Sequence, residues 1–325
     1  MSAPRRALIT GIGGQDGSYL AELLCAEGVE VHGVVRELSP QATANLDGVR
    51  GRVTLHHGDL TVPGTLARLV DEVRPGEIFH LAAPTFVPAS WAALGMTMRA
   101  IPGVVGELLD AVRDHAPDAH AVIAGSREMF GAGAPSPQRE DTPASPTNPY
   151  GAGKLAAHQL VGLARAHDGL HLSSAILYNH ESPRRPPQYV TRRVARGVAE
   201  VSLGLREQLS LGDLDAVRDW SAAVDVVRGM RLMAAAPAPA DYILASGVGR
   251  TVRNLLDVAF ACVGIEAAGR VVVDPGLVRP PEDSAAVGDP GLARERLGWS
   301  AETTFEALIG EMVAAELNAL RDRDL

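Results

Sequence analysis

The segment Thr10-Gly11-Ile12-Gly13-Gly14-Gln15-Asp16-Gly17 limits what this chain can fold into more than any other stretch. It follows a short apolar run at 6–10 and leads into an apolar-periodic helix expected over 19–27. Glycines at these three spacings have separate tasks. Gly11 allows a tight turn, Gly14 lets backbone approach a pyrophosphate, and Gly17 lets helix and strand pack closely. The helix N-terminus then presents free N–H groups to the phosphates. A Gly-rich turn between a strand and a helix is the opening of a dinucleotide-binding βαβ unit. Gly11, Gly14, Gln15, Asp16 and Gly17 are therefore expected at a cofactor.

The same alternation continues. Strand-like runs at 29–35, 53–57, 77–81, 121–124 and 171–178 are interleaved with helical patterns at 63–72 and 104–115. Strands separated in this way form a parallel sheet covered on both faces. The expected fold class is α/β, a Rossmann-type doubly wound parallel sheet with a smaller, mixed C-terminal substrate-binding domain. Residues 1–178 are assigned to the first part and 179–325 mainly to the second, with a late strand at 242–245 returning to the sheet and a last helix at 304–320. With 325 residues, 46% of them apolar, the chain can bury cores of that size.

Composition excludes some classes of function. No apolar run of about 18 residues occurs, so no membrane span is expected. Residues 1–14 run into the first strand with no separate apolar signal region. Cys25 and Cys262 both fall in apolar helical patterns, and two buried thiols suit a reducing cytoplasm. A net charge of −9 argues against a nucleic-acid surface, although local arginines can still hold a small anion.

The choice of dinucleotide depends on the end of the second strand, Val34-Val35-Arg36-Glu37. An acid there would bind the ribose hydroxyls of NAD, whereas an arginine accommodates a 2′-phosphate. Arg36 points to NADP, with Glu37 beside it as a counterweight. Asp59 and Leu60 after the third strand, and Leu81, Ala82 and Ala83 after the fourth, fall where such folds cover the adenine and line the cofactor cleft. Asp59 can equally be read as a helix N-cap.

Tyr150 and Lys154 form Tyr-x-x-x-Lys on a helix starting near Pro149, and a separation of four puts both on one helical face. A phenol of pKa about 10 is a weak base at neutral pH, and a nearby ammonium favours the phenolate. Ser126 closes the fifth strand and can hydrogen-bond an oxygen being oxidised, with Glu128 two residues on. The plainer reading of that pair is a strand cap with a solvated acid.

Four segments carry a resemblance. They are Ala7 through Leu20, Tyr178-Asn179-His180-Glu181-Ser182-Pro183-Arg184-Arg185 continuing to Arg192, Leu211 through Trp220, and Val278-Arg279-Pro280-Pro281-Glu282. With the motifs above, the chain resembles the extended short-chain dehydrogenase/reductase family and, within it, the GDP-mannose 4,6-dehydratases. The resemblance implies a hydro-lyase that uses tightly bound NADP on a nucleotide hexose. Tyr150 would deprotonate the 4-hydroxyl as C4 gives up hydride, Glu128 would take the C5 proton, and water would leave from C6. It also implies that His180 and Arg185 lie at the cofactor. Thr85, Asn179, Arg192 and Arg218 would lie at the sugar and diphosphate, and Arg279 with Glu282 at the nucleotide ribose.

The chain departs from the family pattern at Arg127, Pro84, Thr85 and Val217, at Arg36-Glu37 and in loop 38–46. If Arg127 converged on Glu128 it would make that carboxylate a weaker base, whereas on a strand end adjacent side chains point to opposite faces and Arg127 would point away. These changes suit a modified or different nucleotide sugar. A 4-epimerase is the alternative on this scaffold, although it has no use for a base at C5. A non-catalytic NADP sensor would dispense with Tyr150 and Lys154. Helices 102–115 and 149–167 carry apolar residues on more than one face, which predicts a homodimer or homotetramer.

Overall fold

The computed structural model describes residues 5–277 and 285–322. The first part runs β1 (Arg6–Thr10), α1 (Gln15–Ala26), β2 (Glu30–Val35), α2 (Pro40–Thr43), β3 (Val53–His57), α3 (Thr65–Val73) and β4 (Glu77–His80). It continues through α4 (Val87–Ala92), α5 (Leu94–Met98), α6 (Val104–His115), β5 (His120–Ala124), α7 (Pro149–Asp168) and β6 (Leu172–Leu177). Then come β7 (Asn179–Glu181), α8 (Val190–Ser202), β8 (Leu209–Leu211), β9 (Val217–Ala222), α9 (Ala223–Ala235) and β10 (Tyr242–Leu244). The chain ends with β11 (Gly249–Thr251), α10 (Val252–Ala261), β12 (Val271–Val273), α11 (Gly291–Leu297) and α12 (Phe305–Arg321).

Seven strands form one sheet in the order β10-β6-β5-β4-β1-β2-β3, every pairing parallel. The strand order reverses at β1, whose neighbours are β2 and β4. Ligands of open α/β sheets bind at the carboxyl ends of the strands on either side of such a reversal. The period of two within β1 serves two separate cores. Ala7 and Ile9 join Leu20, Leu24 and Met230 on one face, and Leu8 joins Leu66, Leu108 and Val161 on the other. Each fully buried leucine of this kind contributes about 1.5–3 kcal/mol. The fold is therefore the doubly wound α/β class read from the sequence.

A smaller, mixed assembly lies beyond β6. Strands β11-β9-β7 form one sheet, antiparallel between β11 and β9 and parallel between β9 and β7, and β12 pairs with β8. Helices α8, α10 and α12 share a core around Val194, Leu255, Phe305 and Met312. Asp219, buried in β9, accepts hydrogen bonds from Ser246 N (2.8 Å) and Oγ (2.6 Å), Gly247 N (2.9 Å) and Gly288 N (3.2 Å). That carboxylate joins the small sheet to the loops that follow β10.

Two sequence expectations change. The first helix starts at Gln15, not near 19, because Gly14 is its N-cap. Cys262 is exposed just past the end of α10, so only Cys25 is a buried thiol. Arg279 and Glu282 lie outside the described residues. Among the described residues no helix is long and apolar enough to cross a membrane.

Candidate active site

The glycine turn is tight enough to explain its composition. Gly11 has φ +72°, and the turn closes with Gly14 N donating to Gly11 O at 3.0 Å. A Cβ on Gly17 would lie 2.3 Å from Gly11 O and 2.6 Å from Ile12 Cα, so α1 could not start this close to β1 with any other residue. No side chain caps the helix, which leaves its N-terminal dipole facing the cleft. Thr10 Oγ1 accepts from Leu81 N (3.1 Å) and Ala82 N (3.2 Å), pinning the segment Leu81 to Ala83 beside Gly11. Thr10 also contacts His80 Nδ1 at 2.9 Å, and burial next to Lys154 lowers His80 to about 3, so its ring is neutral. A glycine cradle that excludes side chains, below an uncapped helix N-terminus, fits a dinucleotide pyrophosphate.

Arg36 is exposed immediately after β2. Its charge acts on Asp59, whose carboxyl is lowered first by hydrogen bonds from Thr61 N (2.9 Å) and then from Thr61 Oγ1 (2.8 Å). Asp59 thus holds its own turn, while the N-cap of α3 is Gly64. The helix-cap reading of Asp59 is corrected accordingly. Leu60 turns its side chain into the core on the α3 and α6 face.

At the end of β5 the chain does not continue as a strand. Ser126 is extended, but Arg127–Met129 form a short helical turn capped by Ser126 Oγ, which accepts from Glu128 N at 3.2 Å. Consecutive side chains of such a turn do not alternate as on a strand. Arg127 accordingly converges on Glu128, with its NH2 2.6 Å from Oε1, so of the two arrangements open to it the converging one is found and the strand-end one is not. The other oxygen, Oε2, accepts from Asn148 Nδ2 at 2.7 Å. Asn148 also caps α7, its Oδ1 accepting from Gly151 N at 2.8 Å. Sequence reading missed Asn148, although an Asn-Pro pair opening a helix marks an N-cap followed by proline at the first helical position.

Tyr150 projects from the first turn of α7 and is buried. Burial pushes its phenol well above the usual range, while a hydrogen bond with Ser126 works in the other direction. Lys154 directs Nζ to Ala124 O at 2.6 Å and stands 5.9 Å from the centroid of the Tyr150 ring. Burial lowers Lys154 to about 8. Ser126, Glu128, Tyr150 and Lys154 thus come together at the carboxyl end of β5.

The small sheet contributes the opposite wall. His180 Nε2 lies 2.9 Å from Asp16 Oδ2, Gln15 Nε2 donates to His180 O at 3.1 Å, and Ser182 Oγ donates to Gln15 Oε1 at 2.9 Å. Gln15 and Asp16 thus join the first turn of α1 to β7. Arg185 lies 3.7 Å over the Tyr189 ring and 3.1 Å from Glu181, and Tyr189 OH meets Thr85 Oγ1 at 2.8 Å. Asn179 is half-buried on β7 beside Trp220 of β9. Arg218 is half-buried on β9, its NH1 donating to Val217 O at 2.7 Å. Arg192, read as a phosphate ligand, instead pairs with buried Glu316 of α12 and donates to the carbonyls of Pro183 and Arg185.

Comparison with known proteins agrees with this geometry. The family model for GDP-mannose 4,6 dehydratase matches residues 8–312. The chain is 40% identical to GDP-mannose 4,6 dehydratase 2 of Arabidopsis thaliana over 97% of its own length and 87% of that protein. It is 38% identical to the GDP-mannose 4,6 dehydratase of Homo sapiens over 99% of its length and 94% of that protein. Among solved structures, UDP-glucose 4-epimerase of Thermus thermophilus in complex with NAD superposes with a TM-score of 0.84 at 26% identity, covering 97% of this chain and 99% of that one. RMD from Pseudomonas aeruginosa complexed with NADPH shares the fold at a TM-score of 0.82 and 24% identity, over 97% and 99% of the two chains. The chain belongs to the GDP-mannose 4,6-dehydratase family.

Proposed function

We propose that this protein converts a GDP-linked hexose, GDP-mannose first among them, into the 4-keto-6-deoxy sugar with loss of water. The observation that carries the reading is the Glu128 carboxylate, held by Arg127 and Asn148 at the end of β5, where its charge acts on the Tyr150 phenol that Ser126 hydrogen-bonds. An epimerase needs no acid there.

NADP is the cofactor this reading requires, and when bound it accepts hydride from C4 of the sugar and returns it at C6. Gly11, Gly14 and Gly17 would hold its pyrophosphate, with Arg36 at the 2′-phosphate and the backbone of Asp59 and Leu60 at the adenine. Leu81, Ala82 and Ala83 would line the cleft. Lys154 uses one N–H on Ala124 O and has others left for the cofactor ribose.

Tyr150 takes the proton of the sugar 4-hydroxyl while Ser126 hydrogen-bonds the same oxygen. The 4-ketone makes the C5 hydrogen acidic, and Glu128 removes it. Of the two protons taken, one departs with the C6 hydroxyl as water and the other returns to C5. Tyr150 and Glu128 thus end as they began. Asn179 and Arg218 would meet the sugar and diphosphate, with Thr85 and Tyr189 beside them, and His180 and Arg185 would lie at the cofactor. Arg192 would hold the loop at 183–185 from behind, and Arg279 with Glu282 would meet the nucleotide ribose.

Self-association is assigned to the outer face of α6 and α7, where Leu163 is 66% exposed next to Leu160. Two copies meeting there would bury those side chains in a four-helix contact. Two unlinked cysteines suit a cytoplasmic protein.

The test is mass spectrometry of the product formed from GDP-mannose by protein loaded with NADP. A product lighter by one water is expected. A product of unchanged mass would transfer the chain to the epimerase reading.

A further inference from the structure

The proton-handling groups Glu128 and Tyr150 rest on one shared support. Glu128 sits on a single helical turn, with its side chain 19% exposed, and a glutamate so placed has three side-chain torsions to fix. Two donors fix them from opposite sides, Arg127 NH2 on Oε1 at 2.6 Å and Asn148 Nδ2 on Oε2 at 2.7 Å. Each carboxylate oxygen has two lone pairs, so one donor on each leaves a lone pair free to take a proton. Asn148 is also built into the helix that carries Tyr150, through its cap on Gly151 N at 2.8 Å. That turn can press this closely because residue 151 has no side chain. A Cβ there would stand 2.3 Å from Glu128 O.

We propose that Arg127 and Asn148 are positioning residues that clamp the Glu128 carboxylate in a fixed place relative to the Tyr150 phenol. This rests on the reading of Glu128 as the group that takes the C5 proton. Proton transfer depends steeply on placement, and a displacement of about 1 Å can cost on the order of 100-fold. The clamp therefore belongs to the elimination step and not to oxidation at C4, which uses Tyr150 and Ser126.

Asn148→Ser keeps an N-cap oxygen and loses the amide donor, since serine and asparagine cap about equally well. Arg127→Ala removes the other donor. Both variants, loaded with NADP, are given GDP-mannose carrying hydrogen or deuterium at C5, with Glu128→Gln as reference. Absorbance near 340 nm, the C5 isotope effect on turnover and the melting temperature are followed together.

The expected result is elimination slowed about 10- to 100-fold in each variant. Absorbance near 340 nm should accumulate, the C5 isotope effect should exceed that of the wild type, and the melting temperature of Asn148→Ser should be unchanged. A merely structural role would slow oxidation and elimination alike, with no accumulation and no change in isotope effect. That pattern, or wild-type behaviour in both variants while Glu128→Gln accumulates absorbance, overturns the clamp and leaves the base assignment standing. Wild-type turnover by Glu128→Gln would remove the base assignment itself, and the clamp with it.

Discussion

Lys154 donates from Nζ to the carbonyl oxygen of Ala124 at 2.6 Å, so its ammonium is committed to the strand end that carries Ser126. Burial lowers this amine from its usual 10.5 to about 8. A lysine whose folded pKa is depressed binds fewer protons folded than unfolded, so its contribution to stability is complete above the unfolded value and is lost as pH falls toward the folded one. The interval from 10.5 to about 8 corresponds to roughly 3 kcal/mol at most. Lys154→Met should therefore be the more stable protein below pH 8, and its advantage should shrink as pH rises toward 10.5. Denaturant unfolding of both proteins across that range checks this, and a gap independent of pH would refute it.

Loss of the carboxylate and loss of the phenol should leave different signatures. Glu128→Gln retains the shape and can still hydrogen-bond, so oxidation at C4 should proceed and absorbance near 340 nm should build up. Elimination should slow by the roughly 10²–10⁴-fold typical of a lost acid–base group. Tyr150→Phe should show no absorbance change, because the first step fails. Stopped-flow records of the two variants separate these outcomes.

The pair Asp16–His180 should define a window of pH. Burial opposes both charges, but the 2.9 Å contact outweighs it, lowering the Asp16 carboxyl and raising the His180 imidazole. The Asp16 contribution is complete above about pH 4 and fades in acid, while the His180 contribution is complete below about pH 6.5 and fades as pH rises through its raised value. Asp16→Asn should cost about 1–3 kcal/mol near pH 5.5 and less near pH 9. Equal losses at the two pH values, in chemical denaturation, would contradict the pairing.

Arg36 should decide between the two nicotinamide dinucleotides. It follows Val35, where an acid would favour NAD, and it faces solvent. Arg36→Ala should weaken NADP binding about 10- to 100-fold, the size of one charge-assisted contact, with NAD affected little. Titration calorimetry on the cofactor-free protein measures both. Native protein that releases NAD on denaturation would show that Arg36 does not set the preference.

How legible the site is in the sequence depends on whether its geometry is local. The glycine turn, Tyr150 and Lys154 depend on contacts within a few residues, and the spacing of glycines or of i and i+4 positions displays them. Strand alternation reveals the parallel sheet for the same reason. Arg127 defeats the strand rule because one residue beyond β5 the backbone becomes helical, which turns neighbouring side chains together. Arg192 finds Glu316 far along the chain, a partner no local pattern predicts. The Leu60 side chain points into the core next to α3, because a loop residue's facing is set by the helix that follows. Asn148 is legible as a cap, but its second bond to Glu128 appears only when the end of β5 and the start of α7 are seen side by side.

The edge strand β10 pairs with β6 through Tyr242, Ile243 and Leu244, so the whole stretch from 179 to 241 leaves the large sheet and returns to it at adjacent strands. During synthesis the ribosome has to release residue 244 before the sheet can acquire its last strand. Until then β6 has an unpaired edge with the pattern Leu-Ser-Ser-Ala-Ile-Leu, buried throughout in the finished protein. An exposed apolar strand edge is a template for pairing with another chain. The newborn protein is therefore open to mispairing for as long as it takes to make roughly 65 residues, several seconds at ordinary rates of translation. Truncations that end before β10 should aggregate, while those that remove only α12 should keep the complete seven-stranded sheet.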